Sequence, residues 1–391
     1  MTNTVEQRRN LASALVAGGA VRSPWLRQAF EDTPREMFVP RFYRSVAGRE
    51  VLVDGTDPQQ HEQWLRGVYT DEVLTVQLTP APDLAYRAGA PTSSSSMPTV
   101  MAGMLEALDL RPGHRVLEIG TGTGYHTALL CHRVGADNVV SVELDPALAD
   151  AAHRALAGVG LFPTVHAGDG AAGLAAAAPF DRIIATAATD HIPPAWISQL
   201  ASGGIILVDL RGSLAGSLLR LTALDREVVE GSFLNLPGAF MPMRTRSASP
   251  HRDGESWNQV FDQRNPQRGT SPINPGLVAD NSSLRFITQL HLAGRRLRGF
   301  LRPFNGTELS GRCTDGSWFI ASFHPDGDGL FPLAQGGPQR LWDTVESCYA
   351  TWQRLGEPTV EQFGVTATID AALQYAWFDH PDSPYRWPLP L

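Results

Sequence analysis

Apolar positions recur at helical spacing near the start of the chain. Val5, Leu11, Leu15 and Val16 predict a helix over 5–18 that ends near Gly18-Gly19. Ser23-Pro24 predicts entry into a second helix over 23–31, with serine as N-cap and proline at the first helical position. Residues 50–80 read as strands and loops, and residues 80–98, rich in Pro, Gly and Ser, as a loop. Val100, Met101, Met104, Leu105 and Leu108 share one face of a helix over 99–110. Apolar runs at 116–119, 138–143, 163–167, 179–188 and 203–209 follow, interleaved with helical stretches such as 192–200. Strands alternating with helices at this spacing predict a parallel, doubly wound α/β sheet.

The pattern then changes. Residues 246–282 carry Ser249-Pro250, Asn265-Pro266, Ser271-Pro272 and Asn274-Pro275, which places a linker there. Beyond it, runs at 284–292, 297–304 and 317–323 read as strands, 339–355 as a helix, and 363–369 and 373–378 as strands. Leu341, Val345, Cys348, Tyr349 and Trp352 mark the inner face of that helix. The expected organisation is a domain over 1–245, a linker over 246–282 and an α+β domain over 283–391. No internal repeat is visible.

Composition narrows the function classes. The 391 residues, 43% hydrophobic, suffice for two cores. A net charge of −8 argues against non-specific nucleic-acid binding. All 32 basic residues are arginine, which excludes Schiff-base lysine chemistry and a P-loop lysine. Cys131, Cys313 and Cys348 lack paired spacing, so they are expected to be buried thiols, with neither disulfides nor a metal site. His324-Pro-Asp-Gly-Asp-Gly329 lacks the closing acid of a calcium loop and reads as a turn. No apolar leader and no run of about 18 apolar residues is seen, so no membrane contact and a cytoplasmic location are expected.

The strongest chemical signal is Val116-Leu-Glu-Ile-Gly-Thr-Gly-Thr-Gly-Tyr-His126. Glycine permits a sharp turn and close approach of backbone to a ligand. Glu143, at the end of the next strand, suits a ribose diol. The spacing is GxGxG rather than the dinucleotide GxGxxG, and Glu118 just before it would repel a pyrophosphate. Glu118 could instead hold the cationic amino-acid part of S-adenosylmethionine. Asp169 in Gly168-Asp-Gly170 could accept from an adenine amino group, although Asp-Gly is also an ordinary turn. The expected cofactor-binding set is Glu118, Gly120, Thr121, Gly122, Gly124, Tyr125, Glu143, Leu144, Asp169 and Gly170. S-adenosylhomocysteine is the expected product. His126 reads as packing on the sheet.

The ordered set Gly-Thr-Gly-Thr-Gly-Tyr, Gly-Asp-Gly, Ala178-Pro-Phe-Asp-Arg-Ile-Ile-Ala-Thr-Ala-Ala, Ile192-Pro-Pro and Gln199-Leu-Ala-Ser-Gly-Gly resembles the protein L-isoaspartate O-methyltransferase family. Thr33-Pro-Arg-Glu-Met-Phe-Val-Pro resembles the family's PR-x-x-FVP segment, and Gly238-Ala-Phe-Met-Pro-Met its closing strand. The resemblance spans about residues 5–245 and implies a Rossmann-like methyltransferase fold. It also aligns Ser94-Ser-Ser-Met-Pro98 with the family's Thr-Ile-Ser-Gln-Pro segment. That implies a catalytic role for Ser96 as hydrogen-bond donor to the acceptor carboxylate, with Ser95 and Ser94 beside it. Without the family, Ser93 to Ser96 read as an N-cap and turn.

The substrate side departs from the family. Met97 replaces its glutamine, residues 80–92 are longer and proline-rich, and about 140 residues follow where a repair enzyme would stop. Arg340-Leu-Trp-Asp-Thr-Val-Glu, Phe363-Gly-Val-Thr and Trp387-Pro-Leu resemble a subgroup associated with ribosomally made peptides, such as lanthipeptides and ATP-grasp-crosslinked peptides. This implies methylation of an aspartate in a constrained peptide, with cyclisation to aspartimide. The alternatives are an isoaspartyl repair enzyme with an accessory domain, and a peptide-binding scaffold without turnover. Trp318, Trp342, Trp352, Trp377 and Trp387 could line a peptide groove but read mostly as core.

Overall fold

The strand–helix alternation between 116 and 209 is realised as a parallel sheet in a computed structural model of the chain. It describes residues 4–47, 49–79, 89–236, 238–244, 266–292, 297–304 and 306–390. Strands β5 (Val116–Ile119), β6 (Val139–Glu143), β7 (Thr164–Ala167), β8 (Phe180–Thr189) and β9 (Leu200–Arg211) pair in parallel in the order β9-β8-β5-β6-β7. Helices α6 (Tyr125–Val134), α7 (Pro146–Gly158) and α8 (Pro194–Gln199) provide the crossovers. Both faces of the sheet are covered, which is why its strands are nearly continuous apolar runs. Alternate residues feed two separate cores. Val116, Ile184 and Leu207 pack with the N-terminal helices, whereas Leu117, Ile183 and Ile206 pack into the other layer.

The N-terminal layer holds α1 (Thr4–Ala17), α2 (Pro24–Asp32), α3 (Arg35–Phe38) and α5 (Pro98–Ala107). Beside it lies a four-stranded sheet, β2-β1-β3-β4, of β1 (Arg41–Val46), β2 (Arg49–Asp54), β3 (Leu74–Leu78) and β4 (Pro91–Ser95). Two expectations change here. Residues 61–68 form helix α4 (His61–Val68), burying Trp64, Leu65 and Val68 at helical spacing. Residues 91–95 are a strand, because β3 offers them an antiparallel partner (Thr75 opposite Ser94).

The parallel sheet continues antiparallel through β10 (Gly216–Ala223) and β11 (Val228–Phe233). It does not stop there. β17 (Phe363–Thr368), β18 (Tyr375–Phe378) and β19 (Arg386–Pro388) add to the β11 edge, giving ten strands. A second antiparallel sheet runs β12-β16-β15-β14-β13, from β12 (Gln267–Ser271), β13 (Leu297–Phe304), β14 (Glu308–Cys313), β15 (Trp318–Ser322) and β16 (Phe331–Gly336). Residues 283–391 thus contribute to both sheets. Of the expected linker, 246–265 lies outside the described residues, while 267–271 and α9 (Pro275–Asp280) are built into the fold.

Of residues 284–292, expected as a strand, 284–291 belong to helix α10 (Ser282–His291) and Leu292 is its C-cap. Asn281 decides this: its side chain accepts from the Leu284 N–H as an N-cap, and Leu284, Ile287 and Leu290 then face inward. α10 and α11 (Leu341–Arg354) share one core with both sheets. Phe286 of α10 stacks edge-on against Phe233 of β11 at 4.8 Å and Phe363 of β17 at 5.4 Å. The five tryptophans considered for a groove are all buried, and the three cysteines are buried thiols outside any disulfide. Asp326 closes the 326–330 turn by accepting from Asp328 and Leu330 N–H. No helix among the described residues is long and apolar enough to cross a membrane.

Candidate active site

β6 and β8 leave β5 on opposite sides, and a cavity of about 410 Å³ opens at the carboxyl ends of these strands. Its floor is the glycine loop after β5. Gly120 has φ +95, and a Cβ there would lie 2.7 Å from Thr186 Oγ1, so only glycine fits. The Thr186 hydroxyl fastens the turn by donating to the Gly120 carbonyl at 2.6 Å. Gly122 donates its N–H to Glu143 Oε2 at 2.9 Å, and Asp145 N–H donates to Oε1 at 3.1 Å. Two backbone donors therefore fix a 7%-exposed carboxylate in the cavity wall. This fits the ribose half of a nucleotide cofactor, since each carboxylate oxygen retains a lone pair for a hydroxyl.

Ser94, Ser95, Ser96, Gly120, Thr121, Gly122, Tyr125, Glu143, Leu144 and Gly170 all line this cavity. Glu118, Gly124 and Asp169 do not. Glu118, expected to meet a cationic ligand directly, is fully buried. Its Oε1 accepts from His126 Nδ1 at 2.6 Å, and its Oε2 accepts from the Thr127 and Ser141 hydroxyls. Because the Ser141 proton goes to Glu118, Thr121 Oγ1 donates to Ser141 Oγ at 2.6 Å. A buried carboxylate needs such donors. Gly124 instead lets α6 approach α7, where a Cβ would stand 3.2 Å from that of Ala152. Asp169 caps a short turn by accepting from Ala171 N–H at 3.0 Å. His126, expected only to pack, holds Glu118 and also lines the cavity.

The opposite wall is β4. Strand alternation along β4 buries Ser93 and Ser95 and leaves Ser94 half-buried on the other face, and Ser96, just past the strand, is half-buried too. Ser95 Oγ accepts from Arg35 Nη2 at 3.3 Å, so its side chain has a structural partner. The Ser94 and Ser96 hydroxyls make no hydrogen bond to another described residue. Arg35, from the Thr33-Pro-Arg segment, is a fully buried guanidinium that also donates to the carbonyls of Val68, Thr70, Glu72 and Ser96. Burial lowers its pKa to about 10, so the cation persists at neutral pH. It staples the serine segment to the turn between α4 and β3.

Residues 238–244 form the last wall. Asp209, at 0% exposure, accepts from Arg211 Nε and from Phe240 N–H, and Ala188 of β8 bonds Met241 and Met243 in parallel. At the mouth, Arg244 Nη2 donates to the Thr92 carbonyl at 3.1 Å. Gln77 bridges the two walls there, donating to Asp145 at 2.8 Å and accepting from Thr92 Oγ1 at 2.7 Å. The hydrogen bond from Gln77 holds the Asp145 carboxyl below its ordinary range. Sequence reasoning missed Arg35, His126, Thr186, Asp209 and Arg244. The only local signal was the PR-x-x-FVP segment, which gave no reason for its arginine. Among the described residues, the cavity walls come from residues 73–244.

The family model described as "Protein-L-isoaspartate(D-aspartate) O-methyltransferase (PCMT)" matches residues 58–230. A protein-L-isoaspartate O-methyltransferase of Ignicoccus hospitalis is 34% identical over 242 residues, 61% of this chain and 97% of the relative. Another from Anaeromyxobacter dehalogenans is 43% identical over 150 residues, 38% of this chain and 71% of the relative. A solved protein-L-isoaspartate O-methyltransferase structure shares the fold with a TM-score of 0.53 at 21% identity, over 95% of this chain and 100% of its own.

Proposed function

Because the chain belongs to the protein-L-isoaspartate O-methyltransferase family, we propose that it transfers the methyl group of S-adenosylmethionine to a free carboxylate of an isoaspartyl residue in a peptide. The observation that carries this reading is Glu143, a buried carboxylate fixed by two backbone N–H groups, lining one cavity with the free hydroxyls of Ser94 and Ser96. When bound, the cofactor supplies an electrophilic methyl on a sulfonium. Glu143 would hold the ribose hydroxyls and the glycine loop would support the amino-acid part.

The acceptor carboxylate is already ionised near neutral pH, so the chain needs no strong general base. What it supplies is position and exclusion of water, which together lower the barrier by several kcal/mol. Ser96 donates a hydrogen bond that orients the carboxylate, Ser94 assists beside it, and Arg35 fixes the backbone from which they project.

A second reading keeps this chemistry and changes the substrate: the side chain of an ordinary aspartate in a constrained, ribosomally made peptide. The methyl ester is then attacked by the next backbone nitrogen, expelling methanol and closing an aspartimide. Met97 at the family's glutamine position and the tail motifs favour it. The chain-long likeness to a solved family member favours the first reading of the C-terminal third as an accessory domain. The test is mass spectrometry with S-adenosylmethionine on an isoaspartyl peptide, its aspartyl twin and a crosslinked candidate precursor. Methylation of the isoaspartyl peptide supports the first reading. Methyl gain followed by methanol loss at an Asp of the precursor alone supports the second. No methylation of any of them overturns both.

A further inference from the structure

His126 stands between a buried carboxylate and the cavity. Its side chain is 7% exposed, its Nδ1 lies 2.6 Å from Glu118 Oε1, and its Nε2 is buried with no hydrogen-bond partner among the described residues. A buried polar nitrogen left unpaired is costly, and native structures resolve such groups with a ligand or water. Glu118 accepts on both oxygens, so the proton of that contact sits on Nδ1, and the ring in its Nδ1–H tautomer presents a lone pair at Nε2. The carboxylate behind the ring makes that lone pair a better acceptor, as a carboxylate behind a metal-bound imidazole does.

His126 occupies the first turn of α6, directly after the glycine loop that shares the cavity wall with Glu143. We propose that His126 Nε2 accepts a hydrogen bond from the α-ammonium group of the cofactor's amino-acid part, with Glu118 as the positioning residue that fixes its tautomer. The carboxylate contact expected of Glu118 is thereby relayed through an imidazole. This rests on the cofactor reading above and adds to it a residue that selects the ammonium.

The test is calorimetric binding of S-adenosylhomocysteine and of its analogue lacking the amino group, to wild type, His126→Phe and His126→Gln. The expected result is at least a tenfold loss of affinity for S-adenosylhomocysteine in His126→Phe, no loss for the analogue, and partial recovery in His126→Gln, whose amide oxygen can accept. Equal losses for both ligands, or none, overturn the proposal. Should His126→Phe fail to fold, histidine ¹⁵N spectra of the wild type decide. The Nε2 resonance of His126, assigned by its disappearance in His126→Gln, should shift on adding S-adenosylhomocysteine and stay in place with the analogue. An Nε2 shift identical for the two ligands refutes it. If wild type binds neither ligand, the cofactor reading itself fails, an outcome separate from the loss of the His126 contact.

Discussion

The wall built from β5 and β6 and the wall built from β4 and residues 238–244 face the same cavity but are finished differently. On the first, Glu118, Thr121, Ser141 and Glu143 all have partners within the protein, mostly between 2.6 and 3.1 Å. On the second, the backbone is held tightly by Arg35 and Asp209, while the hydroxyls of Ser94 and Ser96 remain free. A ligand that is identical in every cycle can be met by a surface fixed in advance, and fixing it lowers the cost of binding. A variable peptide is better met by a rigid backbone carrying uncommitted donors. The difference teaches which changes should damage the fold and which should damage only turnover.

The sharpest way to break the contrast is Glu118→Ala. It strands three buried donors, and about 3–5 kcal/mol of stability should be lost in denaturant unfolding. A loss below about 1 kcal/mol would mean the cluster does not organise that wall. Arg35→Met attacks the second wall from behind, leaving five acceptors short of a donor. It should cost about 2–4 kcal/mol, and the surviving protein should show reduced kcat with unchanged cofactor affinity. Unaltered kcat would show that the staple does not set the serine strand.

Glu143→Ala should weaken cofactor binding by about 1–3 kcal/mol in calorimetry and, by stranding the Gly122 and Asp145 N–H groups, lower stability by about 1–2 kcal/mol; unchanged affinity would remove Glu143 from the ribose. The smallest effect separates two neighbouring serines. Ser96→Ala should lower kcat about tenfold, roughly 1.4 kcal/mol, without loss of stability. Ser95→Ala should cost about 1 kcal/mol of stability with little change in kcat. The reverse pattern would put the strand in the opposite register.

Much of the first wall was legible in the sequence because its parts are neighbours along the chain. Gly120 to Gly124 and Glu143 belong to one βαβ unit, whose glycines and strand-ending acid carry meaning at fixed offsets. The second wall draws on Arg35, Thr92, Asp209 and Arg244, which meet only in three dimensions. No local pattern announces an arginine that binds carbonyls 33 to 61 positions away. Glu118 shows the limit of reading a motif alone. Its place in the run was visible, but whether it faces ligand or core depends on His126, Thr127 and Ser141. The 284–292 segment was misread because Leu-Arg-Phe-Ile-Thr-Gln-Leu tolerates either period, and the Asn281 cap that settles it lies just outside.

The C-terminal third was expected as an α+β domain following a linker, and its strands β17, β18 and β19 lie in the ten-stranded sheet. Gln374 holds both the N–H and the carbonyl of Ile192, 182 residues away, so the end of the chain secures the loop after β8. One further consequence concerns the rim of the ten-stranded sheet. Had the sheet ended at β11, the outward-facing backbone groups of that six-residue strand would face solvent as a template for another chain. Instead the last strand is β19, three residues long, carrying Pro388 and followed by Pro390. A proline has no N–H to offer, and so short a strand gives a newcomer almost nothing to pair with. Residues 386–390 therefore act as a selvedge, finishing this rim of the sheet with little left for another strand to grip.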